Sequence, residues 1–284
     1  MGWAEGAIEL VPIVTTGDRI QDRRLMEAGG KALFVKEIEQ ALIDGAVDLA
    51  VHSMKDVPAE TPDELVIAAI PEREDPRDAF IGRDVERFEE LPTGAKLGTA
   101  SLRRQAQALA ARPDLQIEML RGNVDTRLQR LADADFDAIL LACSGLERLG
   151  RAGVIGERLS LDAFLPAPGQ GALAIQTRAV DAAEPWAMAL NHADTALAVA
   201  AERAAMRVLE GSCRTAIGAH AVIAAGHLRL TVEQLHPNGS VRIRRVGEID
   251  AGLGFVPAIG LGEALGRQVH ESAADDLGPP ESEG

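Results

Sequence analysis

Lys55 and Asp56 follow an apolar run in the stretch DLAVHSMKDVPAE, and Ser53 lies just before them. A lysine and an aspartate at the end of a buried strand can form an ordinary surface ion pair, which contributes little to stability. Inside a cleft, the same two side chains can bind an anion and transfer protons. The residues by themselves are consistent with both arrangements. His52, in the same run, is expected to pack or hydrogen-bond at the strand end.

One of the two cysteines, Cys213, lies in the stretch RVLEGSCRTAIGAH, just after an expected helix. A cysteine at such an exposed turn is either a neutral turn residue or a nucleophile. Cys143 instead ends the apolar run ILLACSG, and it is expected to be a buried core thiol. Neither cysteine lies near histidines at the spacing of zinc ligands, and we therefore predict no metal site.

Arginines cluster in one part of an acidic chain whose formal net charge is −15. The segment SLRR contributes Arg103 and Arg104, LRGNVDTRLQR contributes Arg121 and Arg127, and GLERLGR contributes Arg148. This concentration predicts a local anion site, and the alternative is a set of solvated helix faces. The overall negative charge argues against nucleic acid as a partner, because that binding depends on neutralising phosphates.

The sequence has no feature of a membrane or secreted protein. No apolar run approaches the ~18 residues that a membrane span requires. The stretch MGWAEGAIELVP lacks the cationic and apolar regions of a signal peptide. Two cysteines far apart in sequence do not make a disulfide framework. These features predict a protein of the reducing cytoplasm with no membrane partner.

Short apolar runs alternate with amphipathic helical patterns over the first two thirds of the chain, which is typical of α/β layers. Helices are predicted in KALFVKEIEQALIDG, in SLRRQAQALAAR with Ser101 as N-cap, and in NVDTRLQRLADA with Asn123 as N-cap. Eight strands are predicted, at IELVPIV from Ile8, DLAVHS from Asp48, LVIAAI from Leu65, AFIG from Ala79, AKLGT from Ala95, QIEML from Gln116, DAILLA from Asp137 and GALAIQT from Gly171.

Two of the arginine groups lie where a predicted helix follows a predicted strand. Free N–H groups at such junctions attract anions, and strand ends converge there in open α/β sheets. The positions of Arg103 with Arg104, and of Arg121 with Arg127, therefore favour the anion site over the solvated-face alternative.

The rest of the chain predicts a hinge and a separate C-terminal unit. The charged segment EREDPRD indicates a break between two α/β lobes, and LPAPGQGA indicates the return crossing. A long helix is expected from Asp194 to Glu210. After it come three antiparallel strands, with a hairpin signal at Asn238-Gly239, and a helix from about 258 to 274. The RIRR run, 242–245, is interpreted as a solvated sheet face.

Six segments in this order, VHSMKDVP, EREDPRDAF, GTASLRRQ, LRGNVDTRL, LPAPGQGALAI and LEGSCRTAIGAH, resemble the porphobilinogen deaminase family, also called the hydroxymethylbilane synthases. The resemblance implies an α/β fold of two periplasmic-binding-protein-like lobes with doubly wound mixed sheets. A smaller α+β domain with a three-stranded antiparallel sheet is expected to follow. The expected domains are residues 1–73 with 170–190, residues 74–169, and residues 191–284.

The resemblance also implies a transferase of tetrapyrrole (heme) biosynthesis, expected to be a monomer. Such enzymes join four porphobilinogen molecules head to tail, release ammonia at each addition and hydrolyse off hydroxymethylbilane. Their primer is a dipyrromethane cofactor bound through a thioether to a cysteine, and Cys213 matches that cysteine. Its loop is then expected to present the growing chain to a cleft between the first two domains.

The resemblance implies a role for each candidate site residue. Asp56 matches the catalytic aspartate, which would stabilise developing positive charge and assist proton transfer. Guanidinium groups pair with carboxylates and stay charged, which suits a chain of acidic pyrroles. Substrate contacts are implied at Arg127, Arg148, Gln170 and Lys31, the last in GGKALF, which resembles the family's flexible lid. Cofactor contacts are implied at Lys55, Ser53, Thr99, Ser101, Arg103, Arg104 and Arg121.

The chain also departs from the family pattern. The family normally begins with a segment of the form R-I-G-T-R-x-S-x-L-A-x-x-Q, which is not found here. Without it the first lobe is expected to lack a strand and a helix, with apolar surface and backbone groups left exposed. Ala100 and Glu27 also replace a common serine and lysine. Alternatives are thus an inactive or impaired remnant of the deaminase and a two-lobed, non-catalytic anion-binding module.

Overall fold

The computed structural model describes residues 6–16, 35–209 and 216–276 of the 284-residue chain. Within these ranges, the strands form three separate sheets. In chain order they are β1 (Ala50–Ser53), β2 (Leu65–Ala69), β3 (Asp78–Gly82), β4 (Lys96–Gly98), β5 (Gln116–Glu118), β6 (Ala138–Ala142), β7 (Glu157–Arg158), β8 (Leu173–Arg178), β9 (Ala216–Ala224), β10 (His227–Leu235) and β11 (Arg242–Asp250).

Helices connect and cover these sheets. In chain order they are α1 (Lys36–Ile43), α2 (Leu102–Ala111), α3 (Val124–Ala132), α4 (Cys143–Arg148), α5 (Pro185–Leu190), α6 (Ala193–Leu209) and α7 (Phe255–Asp276). Within the described ranges, none of them is both long enough and apolar enough to span a membrane.

The first sheet has the order β1, β8, β2, and the late strand β8 is antiparallel to both neighbours. Because β8 lies more than a hundred residues after β1, the chain leaves this sheet, builds the second one and returns. Buried Leu42 of α1 packs with Ala50 and Leu65 against this sheet. Gly45, with φ of +70°, follows α1 in a backbone conformation that favours glycine.

The second sheet has the order β5, β4, β6, β3, β7 and is mixed. Strand β4 is parallel to β5 and β6, whereas β3 is antiparallel to β6 and β7. Apolar side chains fill both faces, with Phe80 and Leu140 on one and Phe136 and Ile139 on the other. A sheet covered on both faces exposes its functional groups only at its strand ends.

The third sheet is an antiparallel meander, β9, β10, β11. Helices α6 and α7 cover one face, where Leu228, Leu230 and Val232 of β10 are fully buried. The β10–β11 turn contains Gly239 with φ of +76°, which confirms the hairpin that Asn238-Gly239 predicts.

The predicted fold class is confirmed, with a mixed α/β core and a separate three-stranded antiparallel sheet. Seven of the eight predicted strands are present within one or two residues of their expected starts. The two-residue strand β7 and the short helices α4 and α5 were not predicted.

The strand predicted at IELVPIV is wrong, because Ile8–Val14 has no regular secondary structure. None of the described strands pairs with it, and Leu10 is 88% exposed. A strand requires a partner for its backbone groups, so the apolar composition alone is insufficient. The contact with α1 is made just after this segment, where the N–H of Thr16 donates to Glu37 Oε1 at 3.0 Å.

The interpretation of RIRR as a solvated face is also wrong. Arg242 and Arg244 donate to the backbone carbonyls of Ala163 and Asp162, at 3.1 and 2.8 Å, in a loop that follows the second sheet. Arg244 also binds the fully buried carboxylate of Glu233. The alternation predicts which side chains share a face, but it contains no information about a distant segment that covers that face.

Candidate active site

The C-terminal ends of β4, β5 and β6 lie at one edge of the second sheet, since β4 is parallel to both neighbours. Helices α2 and α3 begin at this edge with side-chain caps, as predicted: Ser101 accepts from the N–H of Arg104 at 3.4 Å, and Asn123 from that of Thr126 at 2.8 Å. The buried Thr99 hydroxyl accepts from the N–H of Ser101 at 3.2 Å. The turn that precedes the arginines of α2 is therefore fixed at this edge.

Asp78, the first residue of β3, lies at the same edge with its side chain fully buried. Its Oδ2 lies 2.7 Å from Arg103 Nη1, and its Oδ1 lies 2.7 Å from Arg104 Nη2. Burial opposes ionisation of the carboxyl group, but the charges of the two arginines outweigh it and hold the pKa of Asp78 well below its usual range. Asp78 thus binds both guanidinium groups and fixes their orientation.

Gln170 connects these arginines to the first lobe. Its Nε2 donates to Asp78 Oδ1 at 2.9 Å and to the carbonyl of Pro76 at 2.7 Å. Its Oε1 lies 3.5 Å from both Lys55 Nζ and Arg104 Nη2. The side chain is thus engaged within the protein, and it brings a lysine that follows the first sheet next to an arginine of the second.

Lys55 lies in the 3₁₀ turn Met54–Asp56 that follows β1, and its side chain is half-buried. Burial lowers the pKa of Lys55 to about 8; the charge of Asp56 acts against this shift, and that of Arg104 adds to it. The ammonium group is therefore charged at neutral pH and loses its charge at a lower pH than an ordinary lysine.

Arg121 and Arg127 face the same region. Burial, followed by the charges of Arg104 and Arg121, lowers the pKa of Arg127 to about 10, and Asp56 acts in the opposite direction. The three arginines and Asp56 are therefore close enough for their charges to interact. Arg127 is held through Nε, which donates to the carbonyl of Gly122 at 2.8 Å.

A small cleft of about 40 Å³ lies where the two sheets meet. Arg148 on its wall donates to the carbonyl of Gly171 at 2.8 Å and pairs with Glu74 at 2.7 Å. The cleft thus brings together three of the predicted residues, Ser53, Lys55 and Arg148. The lining consists of Ser53, Lys55, Ala142, Ser144, Gly145, Arg148, Gly171 and Ala172.

Two predicted site residues, Cys213 and Lys31, lie outside the described residues. The histidine prediction is confirmed, because buried His52 bonds through Nε2 to Gln176 Oε1 at 2.9 Å. The core-thiol prediction is also confirmed. Cys143 is fully buried, and burial raises its pKa to about 12.

Four buried polar residues that support the site were not singled out from the sequence: Asp78, Gln107, Glu202 and Glu233. Their signal is a charged or amide side chain inside an apolar segment, such as the glutamate in AVAAERAAM or in LTVEQL. Such a side chain is stable in a core only when it is paired. A search for that pattern could have found both glutamates.

The fold and the site define an α/β protein with a cationic cleft where two sheets meet, an arrangement suited to anionic ligands. Residues 3–184 match the family model described as "Porphobilinogen deaminase, dipyromethane cofactor binding domain", and residues 196–273 match "Porphobilinogen deaminase, C-terminal domain". The chain belongs to the porphobilinogen deaminase family.

Relatives support the same membership. The chain is 58% identical to the porphobilinogen deaminase of Caulobacter vibrioides (strain NA1000 / CB15N) over 98% of this chain and 87% of that protein. It is 58% identical to that of Phenylobacterium zucineum (strain HLK1), over 96% and 86%. A more distant likeness is to the periplasmic aliphatic sulphonate binding protein SsuA from Escherichia coli, at 17% identity and a TM-score of 0.36, covering 63% of this chain and 57% of that one.

The residues at the cleft fit the cofactor named in the matching family model. A dipyrromethane built from porphobilinogen carries carboxylate side chains, and the donor set at the cleft is cationic. Burial is the main cause of the lowered pKa of Arg127, and the charges of Arg104 and Arg121 lower it further, which means that these cations repel one another. A ligand with several carboxylates relieves this repulsion and forms charge-assisted hydrogen bonds with the same groups.

Proposed function

We propose that the chain is a porphobilinogen deaminase, a transferase that joins four porphobilinogen molecules head to tail, releases ammonia at each addition and finally releases hydroxymethylbilane. The family membership supports this function. The observation that carries it is a cluster in which Lys55 and Arg127 interact with Asp56, and Arg104 and Arg121 interact with Arg127. A chain of acidic pyrroles needs several fixed cations next to one carboxylate.

Each addition exchanges one bond for another. The carbon–nitrogen bond of the substrate's aminomethyl group breaks, and its nitrogen leaves as ammonia. The same carbon then bonds to a pyrrole carbon of the acceptor, which gives up a proton. When bound, the dipyrromethane supplies the first acceptor pyrrole.

Asp56 is the proposed catalytic residue. Positive charge develops on the substrate as the amine leaves, and a fixed carboxylate stabilises that charge and can accept the proton released afterwards. The backbone holds this carboxylate in place: the N–H of Met54 donates to the carbonyl of Ala172 at 3.0 Å. On the other side, Arg203 donates to the carbonyls of Val57 and Pro58 at 3.1 and 2.6 Å.

The cations bind and orient the acid groups of the ligands. The proposed substrate contacts are Arg127, Arg148 and Gln170, with Lys31 as a fourth. The Nε2 of Gln170 is already bonded to Asp78 and Pro76, so Gln170 would contact the substrate through Oε1, which accepts a hydrogen bond from a substrate N–H group and not from a carboxylate. The proposed cofactor contacts are Ser53, Lys55, Thr99, Ser101, Arg103, Arg104 and Arg121, with a thioether to Cys213.

The proposal extends to the organisation of the protein. We propose three domains, residues 1–73 with 170–190, residues 74–169 and residues 191–284, and the presence of three separate sheets supports this division. We propose a monomer, since the proposed site needs residues of one chain only. The proposed location is the cytoplasm, with no nucleic acid or membrane partner.

Incubation of the purified full chain with porphobilinogen tests this function. Ehrlich's reagent reveals a bound dipyrromethane, and peptide mass spectrometry measures the mass of the Cys213 peptide. The proposal predicts a mass excess of two pyrrolic units on that peptide, together with release of ammonia and hydroxymethylbilane. A bare thiol and no turnover would instead identify a binding module or an inactive remnant.

A further inference from the structure

We infer that Glu233 of β10 is a positioning residue for the anion site, acting through Gln107 on the guanidinium groups of Arg103 and Arg104. The inference rests on the proposed function and deepens it. According to this inference, a residue of the third sheet, outside the cleft, affects how tightly the arginines bind the acidic pyrrole chain.

Gln107 of α2 is fully buried, and Glu233 selects the orientation of its side-chain amide. Nε2 of Gln107 donates to Glu233 Oε1 at 2.7 Å and to the carbonyl of Leu165 at 2.8 Å. Its Oε1 accepts from Arg103 Nη1 at 2.9 Å. The reversed amide would direct its oxygen at two acceptors and its NH₂ group at a guanidinium group. Glu233 therefore keeps the acceptor side of Gln107 toward Arg103.

Arg103 transmits this constraint to Asp78. Nη1 of Arg103 lies 2.7 Å from Asp78 Oδ2, and Nη2 lies 3.2 Å from Oδ1. The same Oδ1 accepts from Nε of Arg104 at 2.9 Å. Because one buried carboxylate binds both guanidinium groups, a rotation of Arg103 changes the position available to Arg104.

The orientation of Arg103 leaves one of its hydrogen-bond donors without a partner. Its Nε is buried and has no hydrogen-bond partner among the described residues. A buried donor without a partner destabilises a protein, so an isolated arginine would rotate to satisfy it. The acceptors on Nη1 and Nη2, including Gln107, hold the group in this orientation despite that cost.

The two oxygens of Glu233 have different partners. Oε2 accepts from Nε of Arg244 at 2.9 Å, and Oε1 accepts from Gln107 at 2.7 Å. Arg244 also donates to the carbonyl of Asp162 at 2.8 Å. Arg244 thus neutralises the carboxylate and connects it to the loop at Asp162. It does so through Oε2, so that Oε1 can accept from Gln107.

The test compares Glu233→Gln with Val232→Ala, its neighbour on the other face of the same strand. Val232 is fully buried in the core of the third sheet. Truncating Val232 should therefore destabilise the third sheet, as loss of Glu233 could, but it leaves the hydrogen bond between Gln107 and Glu233 unchanged. The probe is benzene-1,2,4,5-tetracarboxylate, with its affinity for each purified full-length protein measured by titration calorimetry. This readout does not depend on turnover.

We expect E233Q to bind the tetracarboxylate about 10-fold more weakly than the wild type, about 1.4 kcal/mol, and V232A to bind it as the wild type does. E233Q should also raise KM for porphobilinogen more than it lowers kcat, because Asp56 is outside the network. Equal affinities for all three proteins, or equal losses in both variants, would overturn the inference.

Two results for the wild type separate this inference from the proposed function. A wild type that binds the tetracarboxylate but makes no hydroxymethylbilane would refute the proposed function, and the comparison of variants would still decide the positioning role. A wild type that binds no tetracarboxylate would overturn this inference. If E233Q does not fold, Gln107→Met removes the amide while keeping the Glu233–Arg244 pair, and the same 10-fold loss is expected.

Discussion

Arg73 and Glu202 form a bidentate ion pair in the interior, with Nη1–Oε1 at 2.6 Å and Nη2–Oε2 at 2.9 Å. The Glu202 side chain is fully buried, and that of Arg73 is 11% exposed. The same carboxylate accepts the backbone N–H groups of Gly169 and Ala221, both at 2.7 Å. One side chain of α6 thus joins the hinge, the return crossing and the third sheet.

Glu202→Gln should lower the free energy of unfolding by about 3 to 5 kcal/mol, because it leaves a buried guanidinium group without a counter-charge. Urea unfolding followed by circular dichroism measures the change. The control is Arg87→Gln, which removes a pair with Glu89 whose side chains are 58% and 70% exposed. That change should cost less than about 1 kcal/mol. Similar losses in both variants would contradict the structural role of Glu202.

Affinity for polycarboxylates should depend on pH through Lys55. Its pKa is lowered to about 8, mainly by burial. A lowered pKa means that the lysine is charged below about pH 8 and loses its attraction for carboxylates as the pH rises through that value. The affinity for benzene-1,2,4,5-tetracarboxylate should therefore fall between about pH 7 and about pH 9, where an ordinary lysine stays charged.

Lys55→Arg is the matched control for this pH dependence, because arginine keeps its charge throughout this range. The variant should bind the probe with an affinity that changes much less from about pH 7 to about pH 9. The same decrease in the variant and in the wild type would assign the titration to another group.

The elements that position the site follow from local sequence signals. Ser101 and Asn123 each follow a strand and precede a helical pattern, and both are caps whose side chains accept backbone N–H groups. Such signals involve neighbouring residues only, so one sequence is sufficient to read them. The placement of Arg104 and Arg121 at one edge follows from these junctions together with a parallel sheet.

The partners within the site are not predictable in the same way. Asp78 binds two arginines that lie twenty-five and twenty-six residues away, and Glu202 binds an arginine 129 residues away. No local periodicity contains such pairings, because they depend on how whole layers pack. The same limitation explains the error at Ile8–Val14, where the apolar pattern of a strand is present and a partner strand is not.

Asp56→Asn should preserve the fold and abolish most of the turnover. The side chain is half-buried in a turn held by backbone hydrogen bonds, so an amide of the same shape fits. An amide can neither balance the developing positive charge nor accept the proton, and kcat should fall about 100-fold or more. Ammonia release measures the rate, and thermal unfolding checks the fold.

Asp84→Asn is the control for this substitution, since Asp84 is an exposed aspartate that pairs with Arg83 in the second sheet's domain. It should retain the turnover of the wild type. Turnover close to that of the wild type in purified D56N would refute the catalytic role of Asp56.

The two cysteines should differ completely in chemistry. A thiolate is the reactive form of cysteine, and burial raises the pKa of Cys143 to about 12, so that side chain is inert at neutral pH. Cys143→Ala should therefore keep both the two-ring mass excess and the turnover, whereas Cys213→Ala should lose both. Intact-protein mass spectrometry separates the two results, and unfolding curves check that each variant is folded. A mass excess that persists in folded C213A would place the tether on another residue and would refute the role proposed for Cys213.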